Sequence, residues 1–310
     1  MNKFIALFEI PPAALPVIEQ ILRPEEILLI EALGSESFNA LEAKAALEKL
    51  GGNDWTTEKT ELLLEQAYKR GVTLAEDETL TRYRIGNFYG RLDVFAITEH
   101  ETYLALPRET QMALDSWYFD AYLAKLGDDE QPSADQIVTL QQTLDYIDTV
   151  DRQIWLNRCD CRTLAGYCDM PTNTCLTFKN GINTVAHRGW SKPVTKEEAK
   201  EIVKGANAQG LMQTINPNGI CNCCGDCCYL FRAQKARGSE KSWPLAEAIA
   251  SFDEDLCISC GLCVERCHFQ AFSSDGGQIS YHPERCRGCG LCAETCPVQA
   301  ITMRKGGLEG

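Results

Sequence analysis

Apolar residues in the first 126 positions recur at three- and four-residue steps, broken by glycine and proline at intervals that suit short helices. Pro24 fits a first helical turn, with Ile27, Leu28, Ile30 and Leu33 behind it and Gly34 as a stop. Asn39 can cap a second helix bearing Leu41, Ala45, Leu47 and Leu50 and closed by Gly51 and Gly52. A third runs from Thr57 through Leu62, Leu63, Ala67 and Tyr68 to Gly71. The segment Thr79 to Ile85 then alternates polar and apolar, as a strand does. Phe88, Tyr89, Leu92 and Phe95, followed by Met112, Leu114, Trp117, Tyr118 and Leu123, read as core, and Gly127 to Ser133 is a polar linker. Beyond it Ile137, Leu140, Leu144, Ile147 and Ile154 predict one more helix with an apolar face. Thr195 and Glu198 have capping-box spacing ahead of a stripe of Ala199, Ile202, Val203 and Ala206 that ends near Gly210.

Three short helices and a strand make residues 1–126 winged-helix-like, for which DNA binding and protein docking are the competing uses. Charge separates them. The chain has a net charge of −14, and residues 1–156 hold 13 Lys and Arg against 28 Asp and Glu, a net of −15. Nucleic acid is bound through Lys and Arg, so this half repels it and suits docking to a basic protein surface. Lys69-Arg70 and Arg82-Tyr83-Arg84 are local basic spots that keep the DNA reading open. The opening run, Met1 to Phe8, is interrupted by Glu9, Pro11 and Pro12, which predicts neither a signal peptide nor a membrane span and points to the cytoplasm. There is no Gly-rich phosphate loop and no dinucleotide fingerprint. His187-Arg188-Gly189-Trp190 reads as a loop anchored by Trp190, with an anion site as the alternative.

Seventeen cysteines change the picture most. Such clustered thiols, without a secretory segment, belong to metal sites rather than disulfides. Cys257, Cys260, Cys263 and Cys267 repeat as Cys286, Cys289, Cys292 and Cys296, with nine identities in sixteen positions between 257–272 and 286–301. Three thiolates at C-x2-C-x2-C spacing can wrap three irons of a cubane from one tight loop, and Gly261 or Gly290 eases close backbone approach. Zinc is the competing chemistry, but its sites rarely use triplets at this spacing.

This segment, about the last sixty residues, resembles the two-cluster bacterial ferredoxins. The resemblance implies a βαββαβ fold, two [4Fe–4S] clusters, low-potential one-electron transfer, and a crossed fourth ligand. Carried over, one cluster takes Cys257, Cys260, Cys263 and Cys296, and the other takes Cys286, Cys289, Cys292 and Cys267. The first copy has His268 where the second has Pro297. This reads as a surface histidine in a tolerated turn, the alternative being a backbone N–H that shifts the potential.

Nine further cysteines fall into two groups, Cys159, Cys161, Cys168 and Cys175, then Cys221, Cys223, Cys224, Cys227 and Cys228 behind a turn at Asn216 to Gly219. Neighbours such as Cys223-Cys224 and Cys227-Cys228 point apart, which suits sharing between two sites. The expectation is two more [4Fe–4S] clusters drawing on both groups with one cysteine spare, the 195–210 helix bringing the groups together. One cluster with a structural zinc, or with a redox-active thiol pair, are the alternatives. As a whole the chain is similar to ferredoxin-domain iron–sulfur proteins of anaerobic bacteria. The expected architecture is α+β: an acidic winged-helix-like docking domain (1–126), a cysteine-rich module (134–245) and a ferredoxin domain (246–310). The expected role is electron relay between redox enzymes or carrier proteins in anaerobic metabolism, with DNA disfavoured as a partner and no membrane span. A redox-responsive DNA-binding regulator and a reductase with an open iron remain the alternatives.

Overall fold

In the computed structural model, which describes residues 3–51 and 54–306, the chain forms two compact units. One comprises residues up to Tyr122 with Thr163–Ala165 and Lys179–Lys192, and the other Leu123–Arg162, Gly166–Phe178 and the chain from Pro193 on. Among the described residues no helix is long and apolar enough to cross a membrane.

The first unit holds the three expected helices, Pro24–Leu33, Ala40–Gly51 and Thr57–Lys69. Gly34 ends the first at φ +63°. Asn39 caps the second, its side chain accepting from the Glu42 N–H at 3.0 Å while Glu42 accepts from the Asn39 N–H at 2.8 Å. Gly52, expected to close that helix, lies outside the described residues. Their buried sides are Leu29 and Ile30, Ala43 and Leu47, and Leu63, Leu64 and Ala67, whereas Leu41, Leu50 and Leu62 are exposed. Strands β1 (Thr73–Ala75) and β2 (Tyr83–Ile85) then pair antiparallel, and Phe38 bridges to Tyr83. The expected strand from Thr79 is shorter because the Asp77 carboxylate gathers the N–H groups of Thr79, Thr81 and Arg82 into a loop. Those bonds, led by the Thr79 hydroxyl, hold Asp77 below the usual carboxylate range.

Helices Phe88–Thr98, His100–Leu104 and Arg108–Leu126 follow. Phe88, Leu92, Phe95, Leu114 and Tyr118 are buried as expected, while Met112 is exposed. A buried ionic network lies beneath them. Arg70 Nε bonds Glu26 at 2.7 Å, Arg91 Nη2 bonds Glu99 at 2.7 Å, Arg70 also pairs with Glu99, and both guanidiniums donate to the Ile21 carbonyl. Arg70 is therefore no surface basic spot. In the 187–190 loop, Trp190 is 46% exposed and holds on through its Nε1, which donates to the Lys69 carbonyl at 2.7 Å, while buried Arg188 donates to the carbonyls of Tyr68 and Thr73.

The second unit is built on a seven-stranded sheet. Its strands are β3 (Gln136–Val138), β4 (Ile154–Asn157), β5 (Cys175–Thr177), β6 (Lys192–Val194), β7 (Met212–Asn216), β8 (Gly219–Cys223) and β9 (Leu245–Ala246), in the order β6-β4-β5-β8-β7-β3-β9. The helix expected to carry Ile137 through Ile154 is thus a strand, the helix Leu140–Thr149 and a second strand. Thr139 and Gln142 form a capping box that starts the helix late, and Val150 turns extended and ends it early. The apolar spacing survived because helix and strand feed one core, where Ile147, Val150, Ile154, Leu156, Leu176 and Ile220 meet Ala199 and Val203 of helix Lys196–Ala208.

Beyond the sheet come β10 (Ala248–Phe252), helix Leu262–Arg266, β11 (Phe272–Asp275), β12 (Gln278–Tyr281), helix Leu291–Thr295 and β13 (Ile301–Lys305). The order is strand, helix, strand, strand, helix, strand. β10 pairs antiparallel with β13 and β11 with β12, around Ile249, Ala250, Ala271, Phe272, Ile279 and Ile301.

Candidate metal centres

The sequence repeat is also a repeat of backbone conformation. Gly261 and Gly290 stand at φ +80° and +81° ahead of the two short helices, and Gln270 and Gln299 both at +55°. A left-handed residue there turns the chain back on itself, so three cysteines of each copy converge from one loop. One cavity is lined by Cys257, Cys260, Cys263 and Cys296, with Phe252, Ile279 and Ile301 behind them. A second is lined by Cys267, Cys286, Cys289 and Cys292, with Ala250, Phe272 and Met303. Each cavity therefore takes three thiols from one copy and the fourth from the other.

Both cavities fit an iron–sulfur group. Four thiols around an apolar space supply the donor set. Backbone N–H groups of Ser259, Ala271 and Gly288 point at the sulfurs of Cys257, Cys267 and Cys286 at 3.3, 3.2 and 3.5 Å. Burial pushes the Cys263 thiol up to about 11 and Cys289 up to about 12, so a bare thiolate is disfavoured there. A bound cationic iron offsets that penalty and deprotonates the thiol.

The middle cysteines are brought together by the sheet, not by helix Lys196–Ala208. In β5 and β8, Leu176 and Ile220 face the helices, so period-two alternation turns Cys175, Cys221 and Cys223 to the opposite face. There six thiols close a ring, each within hydrogen-bonding reach of the next: Cys159, Cys161, Cys228, Cys223, Cys221, Cys175 and back to Cys159. The other three form a separate group, Cys168, Cys224 and Cys227, whose sulfurs all lie within 4.8 Å of one another. Nine thiols thus divide as six and three, not as four, four and one. Both groups draw on both stretches of sequence, and each adjacent pair, Cys223-Cys224 and Cys227-Cys228, is split between them.

Arg162 was not legible as part of this site. It is 2% exposed and donates from Nη1 to the Pro171 carbonyl and from Nη2 to the Asn222 carbonyl, both at 2.6 Å. Burial opposes its charge, but the neighbouring sulfurs of Cys159, Cys224 and Cys175 outweigh burial and hold its pKa above the ordinary value. The only advance signal was an arginine directly after the Cys159-x-Cys161 pair. Bonds from neighbouring thiols lower Cys221, chiefly through Cys175, to about 6, and Cys224, chiefly through Cys227, to about 5.

His268 is not a free surface histidine. Its Nε2 lies 2.7 Å from the Gly210 carbonyl, and its ring packs so closely on Gly225 that a Cβ there would sit 2.8 Å from the His268 Cβ. Arg266 works beside it, donating to the carbonyls of Asn207 and Ala208 at 2.8 and 3.0 Å at the C-terminal end of helix Lys196–Ala208. A guanidinium there satisfies orphan carbonyls and complements the helix dipole.

No curated protein and no solved structure matches the chain. A family model described as a 4Fe-4S dicluster domain matches residues 250–303, the segment that encloses both four-cysteine cavities. The C-terminal part of this chain is an iron–sulfur domain, with the thiols for at least one [4Fe–4S] cluster and the electron-transfer chemistry that goes with it.

Proposed function

We propose that the chain relays low-potential electrons between redox enzymes or carrier proteins of anaerobic metabolism in the cytoplasm, through a two-cluster, ferredoxin-like C-terminal domain. The observation that carries this reading is the pair of cavities, each gathering four thiols in the crossed sets. Cys257, Cys260, Cys263 and Cys296 hold one cluster, and Cys286, Cys289, Cys292 and Cys267 the other. A [4Fe–4S] group supplies reversible one-electron transfer when bound. The protein's own part is to supply thiolates, exclude water with Phe252, Phe272, Ile279 and Ile301, and aim N–H groups at the sulfurs, which raises the potential.

The six-thiol ring is read as a third iron–sulfur site in the same relay, with Arg162 balancing its negative charge. This replaces two middle cubanes by one, because the remaining three thiols stand apart. The anaerobically reconstituted chain is expected to carry about twelve irons with matching sulfide. Iron and sulfide counts with a reductive titration test this. About eight irons would remove the ring from the relay, and no reversible reduction would sink the electron-transfer reading itself.

The N-terminal unit is read as a winged-helix-like docking domain. Its third helix presents Glu58, Lys59, Glu61, Leu62, Glu65 and Lys69 to solvent, and Lys69 already pairs with Glu65 at 2.6 Å. Such a face repels phosphates and suits a basic protein surface. In a filter-binding assay at physiological ionic strength the full chain is expected to retain no duplex DNA. Sequence-selective retention at sub-micromolar protein would favour the regulator reading instead.

A further inference from the structure

The three thiols left out of the ring all face one another, whereas each ring thiol reaches only its two neighbours. Cys168 Sγ and Cys227 Sγ are 3.6 Å apart, and Cys224 Sγ lies within 4.8 Å of both. In a cubane the protein thiolates sit on different irons and are held apart by the width of the cluster, so three of them do not converge on one point. Thiolates on one tetrahedral zinc, with Zn–S of about 2.3 Å, stand about 3.8 Å from each other. The local sequence agrees. Cys224-Gly225-Asp226-Cys227 has the C-x2-C spacing of a zinc-binding turn, and within it the Cys227 N–H donates to Cys224 Sγ at 3.3 Å. The Tyr167 N–H donates to Cys227 Sγ at 3.4 Å. N–H groups aimed at sulfur stabilise thiolates and orient them toward one centre.

We propose that Cys168, Cys224 and Cys227 bind a single soft divalent cation of the zinc class, with its fourth position open to water or an exogenous donor. Among the described residues no further histidine, cysteine or carboxylate atom joins that group. Cys224 and Cys227 are buried and Cys168 is half-buried, so the open position lies on the Cys168 side. The ion also has a structural task. It fixes the turn on which His268 rests through Gly225, and so fastens the iron–sulfur domain to the sheet. This goes beyond the electron relay and does not depend on it.

The test uses the full-length chain, purified anaerobically from cells supplied with both iron and zinc, with metal counting and zinc X-ray absorption. One zinc per chain is expected, with three sulfurs at about 2.3 Å and one lighter neighbour. Cys168→Ser and Cys224→Ser should each lower zinc at least tenfold and leave iron and sulfide unchanged. If Cys224→Ser fails to fold, the absorption spectrum of the unmodified chain and the half-buried Cys168→Ser still decide. Zinc below one-tenth per chain, a four-sulfur zinc shell, or loss of iron and sulfide in place of zinc would each overturn the proposal. Failure of the relay would appear separately, as clusters that cannot be reversibly reduced.

Discussion

Cys267→Ala is expected to lose the same cluster signal as Cys289→Ala, and Cys296→Ala the same signal as Cys260→Ala. The chain order suggests the opposite grouping, since Cys267 follows Cys257, Cys260 and Cys263 directly. In space, however, Cys267 lines the cavity of Cys286, Cys289 and Cys292, while Cys296 lines the other. Each alanine should cost about four of the irons, and Cys267→Ala combined with Cys289→Ala should cost no more than either alone. Electron paramagnetic resonance of the reduced variants, with iron counts, gives the result. If Cys267→Ala instead matched Cys260→Ala, the crossed assignment would be wrong.

Arg91→Ala is expected to destabilise the first unit by about 3–5 kcal/mol, the range for removing one partner from a buried ion pair. Arg91 is fully buried, and burial lowers its pKa only to about 10, so it stays charged at neutral pH. Its removal leaves Glu99 with Arg70 as its ion-pair partner in the network and takes a buried donor from the carbonyls of Ile21 and Arg70. The comparison is Glu48→Ala, which breaks the partly exposed pair with Lys44 and should change stability by no more than about 0.5 kcal/mol. Urea unfolding of both variants, followed by far-ultraviolet circular dichroism, measures the difference. Equal midpoints would mean that the network contributes nothing beyond an ordinary surface pair.

The C-terminal site was legible because its information is local. A triplet at fixed spacing with a left-handed glycine folds its own loop, and only the fourth ligand comes from a distance. The first two helices were legible for a similar reason, as Asn39 and Gly34 mark ends within a few residues of what they terminate. The middle module was not, because its thiols meet through strand register. Cys175 and Cys221 approach each other only once Leu176 pairs with Ile220, and a count of cysteines cannot reveal that six will share one ring. Ile137 and Ile154 misled for the converse reason. Helix-like spacing ran through two strands and one helix that all turn apolar sides inward. Buried charges were the least visible: Arg70 read as a basic spot, Arg188 as part of a loop, and Arg91 and Arg162 gave no reading at all, because their partners are carbonyls and carboxylates that only the fold brings close.

The attachment of residues 179–192 to the first unit has a consequence for how the protein is made. Arg188, Asn183 and Trp190 bond Tyr68, Thr73, Ala75 and Lys69, so the helices and hairpin near the N-terminus are complete only when chain more than a hundred positions later has been synthesised. At about 5–20 residues per second, the ribosome adds the stretch from 126 to 192 in roughly 3–13 s. During that interval Cys159, Cys161, Cys168 and Cys175 emerge while Cys221 to Cys228 do not yet exist. Neither middle thiol group is therefore complete before the first unit's last segment has been synthesised.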